Sequence, residues 1–186
     1  MPRQGLNKQA VTEAATALIE EKGIAAFSMN ELARRLNIKT ASLYAHVKGG
    51  MDELLSDIKL NTISQMTEAE MAAIEGKEKD MALFALAEAY RNYAKEHPGL
   101  YMLVTGSQHG DSTVLEQAAE EFSKPIRTVL SQFGVSEKEQ ANYERVLRGM
   151  MHGFVSQEEC GAFSGQAANL NESYFLAVRI IAESLE

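Results

Sequence analysis

The sequence lacks the features that mark secreted and membrane proteins. It contains one cysteine, Cys160, in 186 residues, which excludes a disulfide framework and a zinc site built from several thiolates. No stretch approaches about 18 uninterrupted apolar residues, and residues 1–8 lack the apolar region of a signal peptide. The sequence therefore predicts a cytoplasmic protein with no membrane partner.

Proline is also scarce, with three residues in the chain, and alternating β-branched runs, which would indicate strands, are few. Alanine, glutamate, leucine and methionine, which favour helices, are common. With 45% apolar and 24% charged residues, the composition is that of an ordinary globular protein. Because apolar residues recur at helical spacing in about nine segments, the sequence predicts an all-α fold of about nine helices.

Acidic residues predominate overall, with a net charge of −8, but the charge is unevenly distributed. Residues 1–50 contain seven lysine and arginine residues against four acidic ones, a net charge of +3, whereas residues 51–186 carry −11. This division is typical of a chain with a nucleic-acid-binding domain and a second domain; chance clustering of surface charge is the alternative. The charge division therefore predicts two domains, residues 1–50 and residues 51–186, of which the first is the candidate DNA-binding domain.

Residues 28–48 have the dimensions of a helix-turn-helix motif. Ser28 and Glu31 form a capping-box pattern at the start of one short helix. Asn37 then occupies a turn that favours a left-handed conformation. A second short helix is predicted over residues 39–47. Together with a first helix over residues 8–22, these helices would form a three-helix head whose last helix enters the major groove of DNA.

Three further patterns predict where other helices begin or break. Gly49 and Gly50 interrupt the chain before a long helix and are predicted to form a flexible hinge. Pro125 should kink or split a helix predicted over residues 112–133. Ser136 and Glu139 form a second capping-box pattern, which predicts the start of a helix of about 25 residues.

The head resembles the DNA-binding domain of the tetracycline-repressor (TetR) family of bacterial regulators. The residues that carry the resemblance are Ala14, Ala15, Gly23, Ser28, Leu32, Ala33, Ile38 and the run Leu43-Tyr44-Ala45-His46-Val47-Lys48. The run Met151-His152-Gly153-Phe154-Val155-Ser156 also resembles the signature of the branch with a WHG-type C-terminal domain, with Met151 where that signature has tryptophan.

The resemblance implies a set of DNA-contacting residues. Thr40, Ala41 and Ser42 match the base-reading turn of the recognition helix, while Tyr44 and His46 match phosphate-contacting positions. The complete predicted set is Ser28, Asn30, Lys39, Thr40, Ala41, Ser42, Tyr44, His46 and Lys48. This sequence departs from the family in having Asn37 where glycine is common, Lys39 where a capping serine is common, and Gly50 where a phosphate-binding lysine is frequent.

The resemblance also implies an effector pocket and a homodimer in the remainder of the chain. Methionine and aromatic side chains line adaptable pockets. The predicted pocket residues are Phe84, Tyr90, Tyr93, Tyr101, Met102, Phe122, Met150, Met151 and Phe154, with Tyr93, Gln108, His109 and His152 as candidate polar anchors. Gly149 and Gly153 suggest close approach of another helix, either from the same chain or from a second subunit. With Val178 and Ile181, they form the predicted dimer interface.

These patterns predict a DNA-binding transcriptional regulator. The expected form is a repressor released from a palindromic operator by a small apolar or aromatic effector, with no cofactor and no metal site. An enzyme is disfavoured because the sequence has no His-Glu-x-x-His pair, phosphate-binding loop or nucleophile elbow. The alternative is an adaptor whose helix-turn-helix binds protein instead of DNA.

Overall fold

The structure is a computed structural model that describes residues 6–106, 112–165 and 169–186. These residues form nine α-helices and no strand, which confirms the predicted all-α fold. The helices are α1 (Lys8–Lys22), α2 (Met29–Leu36), α3 (Thr40–Leu43), α4 (Gly50–Ile74), α5 (Lys79–Glu96), α6 (Pro98–Gly106), α7 (Ser112–Leu130), α8 (Glu137–Glu159) and α9 (Leu170–Glu183). Short 3₁₀ turns occupy Ile24–Ala26 and Ser131–Phe133. Within the described ranges, no helix is long and apolar enough to cross a membrane.

The chain divides into two compact units. Unit 1 comprises residues 1–65 and 96–119, and unit 2 comprises residues 66–95 and 120–186. Unit 1 therefore contains the whole predicted head together with the first part of α4 and all of α6. Its core is formed by buried side chains of these helices, namely Val11, Ala15, Leu18, Ile19, Phe27, Met29, Leu32, Ala33, Leu43, Val47, Leu54, Leu55, Ile58, Leu100 and Leu103.

The first helices of unit 1 begin and end where their sequence specifies. Asn7 caps α1 by accepting a hydrogen bond from the Ala10 N–H at 2.8 Å, and Gly23 ends it with a φ of 76°. Ser28 caps α2 in the same way through the Glu31 N–H at 3.2 Å. The predicted capping box is only half formed, because the Glu31 carboxylate pairs with Lys22 and Arg34 instead.

The turn after α2 follows the prediction, but the next helix is shorter than predicted. Asn37 adopts a left-handed conformation with φ 55° and ψ 46°. Helix α3 ends at Leu43, and residues 44–46 continue as hydrogen-bonded turns instead of the helix predicted to residue 47. Lys39 stands at the N-cap without a side-chain hydrogen bond, so the first turn lacks the stabilisation that a capping serine would provide.

Helix α6 packs closely on α1 within unit 1. Gly99 lies against the last turn of α1, where a methyl group would overlap the carbonyl oxygen of Ile19 and lie 3.2 Å from Glu20 Cα. His97, just before α6, places its Nδ1 2.6 Å from Glu20 Oε1. A glycine at position 99 is therefore what allows the two helices to approach this closely.

In unit 2, a buried arginine joins three helices. Arg91 on α5 donates two hydrogen bonds of 2.8 Å to the Glu158 carboxylate on α8 and one of 2.8 Å to Asn171 on α9. Its guanidinium carbon lies 4.8 Å from the ring centroid of Tyr174, whose hydroxyl donates to the Ala87 carbonyl at 2.7 Å. These contacts fix the relative positions of α5, α8 and α9.

Two predictions for the later helices have opposite outcomes. Ser136 and Glu139 form a complete capping box at the start of α8, as predicted. Pro125 lies inside α7, which continues from Ser112 to Leu130 without a break, so of the predicted kink or split the split does not occur, and the kink stays a prediction. The structure places the helix end at the 3₁₀ turn Ser131–Phe133 instead.

Candidate functional site

The recognition segment, defined here as residues 39–48, is anchored by two buried side chains. Leu43 and Val47 are fully buried in the core of unit 1. Because they are four residues apart, they lie on one side of the segment, and the residues between and before them face outwards. The exposed residues of this segment are Lys39, Ala41, Ser42, Tyr44, Ala45 and Lys48, while Thr40 and His46 are half-buried.

A side-chain hydrogen bond connects α2 to the start of the recognition segment. The Thr40 hydroxyl donates to Asn30 Oδ1 at 2.9 Å, and Asn30 is exposed. Since the carboxamide nitrogen of asparagine has two donors of its own, Asn30 can hold Thr40 and still donate elsewhere. The structure thus brings together two residues that the sequence predicted separately as base contacts.

Gly49, just before α4, and Gly50, its first residue, are held by contacts with neighbouring residues, which does not agree with the predicted flexible hinge. The Gly49 N–H donates to Glu53 Oε2 at 2.6 Å. Gly50 is buried with a φ of 68°, and a side chain there would meet the Tyr44 ring at 3.2 Å. Tyr44 remains 48% exposed, so one edge of its ring packs on Gly50 while much of the side chain stays accessible.

Most cations of the head are already paired with acidic side chains. The pairs are Lys8 with Glu53 and Asp57 at 2.8 and 2.6 Å, Lys22 with Glu31, Arg34 with Glu31 at 2.5 Å, and Arg35 with Glu21 at 2.6 Å. Within the described residues 6–58, Lys39 and Lys48 form no such pair. They stand at the two ends of the recognition segment, so the unpaired positive charge is concentrated there.

These ion pairs alter the acid–base properties of their carboxylates. Hydrogen bonds from Arg34 and Lys22 lower the pKa of Glu31 to about 2. Hydrogen bonds from Lys8 and from the Gly49 N–H hold the pKa of Glu53 below its ordinary value, and the charge of Lys48 acts in the same direction. Both carboxylates therefore stay ionised at neutral pH.

The residues predicted for the effector pocket are divided between the two units. Tyr101 and Met102 lie on α6 in unit 1, whereas the other seven lie in unit 2. Met151 is fully buried, and Met150 and Tyr93 lie on α8 and α5. Phe84 stacks on Phe175 at 5.8 Å and lines an open surface groove of about 540 Å³. The predicted anchors Gln108 and His109 lie outside the described residues.

The sequence analysis missed two charged residues of unit 2: Arg148, which lies beside the predicted pocket residue Phe122, and Glu70 on α4. Tyr90 and Phe122 have ring centroids 6.4 Å apart, and the guanidinium carbon of Arg148 lies 4.7 Å from the Phe122 ring centroid. The carboxyl group of Glu70 is 2% exposed, and burial raises its pKa to about 8, although the charge of Arg148 opposes that rise. Glu70 continues the apolar series Ile63, Met66 and Ile74 on α4, but this spacing alone does not distinguish a buried carboxyl group from one at the edge of the helix face.

The predicted dimer residues divide into two groups. A side chain added at Gly149 or Gly153 would meet no described atom within 4 Å, so no helix of the described chain packs there. Val178 and Ile181 are instead buried in their own chain and do not form an open surface. The exposed apolar side chains of α8 and α9 are Val146, Leu176 and Ile180, each more than half exposed; the sequence analysis missed them because it selected apolar positions without separating the two faces.

Two observations on the described residues concern thiol chemistry and metal binding. Cys160 is exposed, and no group of three or more histidine, cysteine, aspartate and glutamate side chains in those ranges is arranged to hold a metal ion. The described residues thus present an exposed polar surface with two unpaired lysines in unit 1 and a buried polar cluster in unit 2.

Comparison with known proteins gives the same family for both parts of the chain. Residues 11–58 match the family described as bacterial regulatory proteins, tetR family, and residues 83–181 match the tetracyclin repressor-like C-terminal domain. The assignment to the WHG-type branch stays a prediction. Members of this family bind operator DNA and dimerise.

Similar proteins cover nearly the whole chain. The uncharacterised HTH-type transcriptional regulator YobS of Bacillus subtilis (strain 168) is 25% identical over 185 residues, covering 99% of this chain and 95% of YobS. The uncharacterised HTH-type transcriptional regulator Rv0681 of Mycobacterium tuberculosis is 30% identical over 158 residues, covering 84% of this chain and 72% of Rv0681. A TetR variant from Acinetobacter baumannii AYE, solved in complex with minocycline, has the same fold, with a TM-score of 0.68, 16% identity and 96% of each chain covered.

None of these comparisons favours the adaptor alternative, and the family is one of transcriptional regulators, not of enzymes. One chain matches both the N-terminal and the C-terminal domain of the family. The N-terminal match agrees with the helix-turn-helix geometry of unit 1. The chain belongs to the TetR family of bacterial regulatory proteins and is a DNA-binding transcriptional regulator.

Proposed function

We propose that this protein is a cytoplasmic repressor that binds a palindromic operator as a homodimer and releases it when a small effector binds. Residues 1–50 form the DNA-binding domain and residues 51–186 the ligand-binding and dimerisation domain in this proposal. The observation that carries it is the recognition segment, whose buried anchors Leu43 and Val47 leave a row of polar side chains and two unpaired lysines on the surface.

Each exposed residue of this surface has a chemistry that suits DNA. The hydroxyls of Thr40 and Ser42 can donate to or accept from base edges, and the Ala41 methyl group can contact a thymine methyl. Asn30 can pair with adenine through its carboxamide. The remaining predicted contacts position the head on the phosphates through their hydroxyl, imidazole, ammonium or backbone groups: Ser28, Lys39, Tyr44, His46 and Lys48.

The dimer is supported by the outer surface of α8 and α9. The space above Gly149 and Gly153 is open in the single chain, and Val146, Leu176 and Ile180 expose apolar side chains on the same two helices. A second copy of the chain would fill that space and cover those side chains. Two-fold symmetry also matches a palindromic operator, since two recognition segments then read half-sites about 34–36 Å apart.

The effector is proposed to act by changing the distance between the two heads. A shift of a few Å would be enough to lose the match to successive major grooves. Coupling energies between sites are about 1–3 kcal/mol, which would change operator affinity by a factor of roughly 5–150. The Acinetobacter protein, which has this fold, was solved in complex with minocycline, so a small-molecule effector is compatible with the fold.

Selection of binding sequences from random DNA, followed by affinity measurements on the selected site, tests the proposal. Lys48→Ala should weaken binding about uniformly across sequences, because a lysine on a phosphate reads no base. Thr40→Ala should instead relax the preference at one or two base positions. Lys124→Ala, which removes an exposed charge from unit 2, is the matched control and should bind like the wild type. Wild-type affinity and preference in both head variants would show that the recognition surface is wrong.

A further inference from the structure

Asn30 and Thr40 form a side-chain pair at the surface of the helix-turn-helix. Asn30 is the second residue of α2 and Thr40 is the first residue of α3, so the pair connects the starts of the two helices. The Thr40 hydroxyl donates to Asn30 Oδ1 at 2.9 Å. Asn30 is exposed and Thr40 is half-buried, so a duplex that contacts the recognition segment can also reach this pair.

The hydrogen bond determines which polar atoms the pair can offer to DNA. A carboxamide carries its acceptor oxygen and its donor NH₂ group on two arms of one plane. Because Oδ1 of Asn30 faces Thr40, the NH₂ group faces away from Thr40 with two N–H donors. The Thr40 hydroxyl has one proton, which the bond uses, so its remaining lone pairs can only accept. The pair therefore combines donors from Asn30 with an acceptor from Thr40.

The start of α3 favours this orientation of the carboxamide. The first N–H groups of a helix have no partner within the helix, and they carry partial positive charge. Lys39, the N-cap residue, makes no side-chain hydrogen bond to them. An amide oxygen is attracted to such a helix start, whereas an NH₂ group is repelled, so the oxygen of Asn30 is the atom that faces α3.

The base pairs of DNA present different patterns to such a pair in the major groove. In a G·C pair, guanine N7 and O6 accept and cytosine N4 donates, whereas in an A·T pair adenine N7 accepts, adenine N6 donates and thymine O4 accepts. An asparagine with a free carboxamide pairs with adenine, because its oxygen accepts from N6 while its nitrogen donates to N7. In this protein Thr40 already occupies that oxygen. Donors beside an acceptor match the G·C pattern instead.

We propose that the Asn30–Thr40 pair reads one G·C base pair in each half-site of the operator. Asn30 donates to guanine N7 and O6, and Thr40 accepts from cytosine N4. The inference rests on the proposed function, because it specifies one base pair of the operator which that function requires. Thr40 then has a second role, since its hydroxyl determines which base Asn30 reads.

Selection of binding sequences from random DNA with the full-length wild type and with Asn30→Ala identifies the base pair concerned. The alanine variant should lose its preference at one position of each half-site, and the wild type should select G·C there. Replacing that G·C pair by A·T in one half-site should weaken wild-type binding about tenfold. Selection of A·T by the wild type at that position, or a preference that Asn30→Ala changes nowhere, would overturn the inference.

Thr40→Val tests the role of the hydroxyl, because it removes the donor at nearly constant side-chain volume. Oδ1 of Asn30 is then free to accept from adenine, so the preference at this position should change from G·C to A·T. Thr40→Ser retains the hydroxyl and should still select G·C. If the valine variant folds poorly by circular dichroism, Thr40→Ala replaces it. A guanine preference that survives loss of the hydroxyl would contradict the assigned role.

Ser42→Ala is the matched control. It removes a hydroxyl from the same exposed surface, but Ser42 takes no part in the bond between Asn30 and Thr40. This variant should keep the wild-type selection of G·C at the position read by Asn30. Loss of that selection in Ser42→Ala would show that the preference does not come from the Asn30–Thr40 pair.

Transcription in vitro from a promoter that overlaps the selected operator separates this inference from the function on which it rests. If the protein represses transcription but Asn30→Ala selects the same operator as the wild type, the G·C reading is wrong and the repressor proposal stands. If Asn30 reads G·C but the bound protein does not lower transcription, the reading stands and the repressor proposal fails.

Discussion

At the scale of single residues, Glu70 should make the stability of the protein depend on pH in an unusual direction. Its pKa rises from 4.5 to about 8 on burial, so the folded chain binds this proton more tightly than the unfolded chain. Stability should therefore fall as pH rises between about 5 and 8, by up to about 1.4 kcal/mol per pH unit. Most carboxylates have the opposite effect, because pairing lowers their pKa.

The measurement is urea unfolding of the wild type and Glu70→Gln at several values between pH 5 and 8. Other titrating groups contribute equally to both proteins, so they cancel in the difference between the two unfolding free energies. The glutamine variant should gain stability relative to the wild type as pH rises. A difference that stays constant over this range would contradict the assignment of a neutral, buried carboxyl group.

Single residues also show how far the sequence could predict the candidate site. Leu43 and Val47 could be assigned to the core from their spacing, and Asn37 to a left-handed turn, because local sequence determines both. Glu70 could not be assigned to the core in this way, because its burial depends on the packing of α4, α7 and α8. Its place in an apolar series was visible, but a charged residue at such a position is more often at the edge of a helix face than inside it.

At the scale of helices, the contact of α6 with α1 should tolerate no side chain at Gly99. A methyl group there would overlap the backbone of Ile19, and relieving the overlap requires one helix to move. We expect Gly99→Ala to lower the free energy of unfolding by about 1–3 kcal/mol, the usual cost of overpacking. Denaturant unfolding followed by circular dichroism measures this change.

Gly106→Ala, on the same helix, provides the control. Among the described residues, a methyl group at position 106 would meet the Met102 side chain at 3.9 Å and nothing nearer, which is ordinary contact, so this variant should match the wild type or be slightly more stable. Equal stability of the two alanine variants would show that α1 and α6 do not pack as closely as the structure indicates.

Helix boundaries were predictable where they depend on local hydrogen bonds and less so where side chains have a choice of partner. No lysine or arginine of the described ranges pairs with Glu139, and its capping box with Ser136 forms completely. Glu31 lies within reach of Lys22 and Arg34, and its ion pairs replace half of the corresponding box. The missing side-chain cap at Lys39 was predictable, whereas the end of α3 at Leu43 was not.

At the scale of the whole molecule, Gly153 allows the dimer to be tested without disturbing the single chain. The space around it is open within the described chain, so Gly153→Leu should fold normally and should even gain about 1 kcal/mol of helix propensity. A leucine on each subunit would hold the partner helices apart. We expect a monomer with little operator affinity, observed by sedimentation at micromolar concentration.

Gly153→Ala, which adds a single methyl group at the same position, is the control and should remain largely dimeric. A persistent dimer in Gly153→Leu would mean that the subunits meet at another surface. A wild-type protein that sediments as a monomer at the same concentration would contradict the homodimer itself.

Because most cations of the head pair with acidic side chains of the same chain, the affinity of the protein for DNA should depend only moderately on salt. Duplex DNA carries condensed counterions, and each phosphate that a protein neutralises releases some of them, so that affinity falls with salt at a logarithmic slope of about −0.9 per phosphate. Lys39 and Lys48 are unpaired in the described part of each head, which gives four such lysines in a dimer. These four lysines give a slope of about −3.6, so the affinity for DNA should fall roughly 150-fold between 50 and 200 mM salt. A protein that makes six to ten phosphate contacts loses a factor of about 10³–10⁵ in affinity over the same range. A regulator built in this way depends less on ionic strength and more on the hydrogen bonds that its recognition segment makes with a particular sequence.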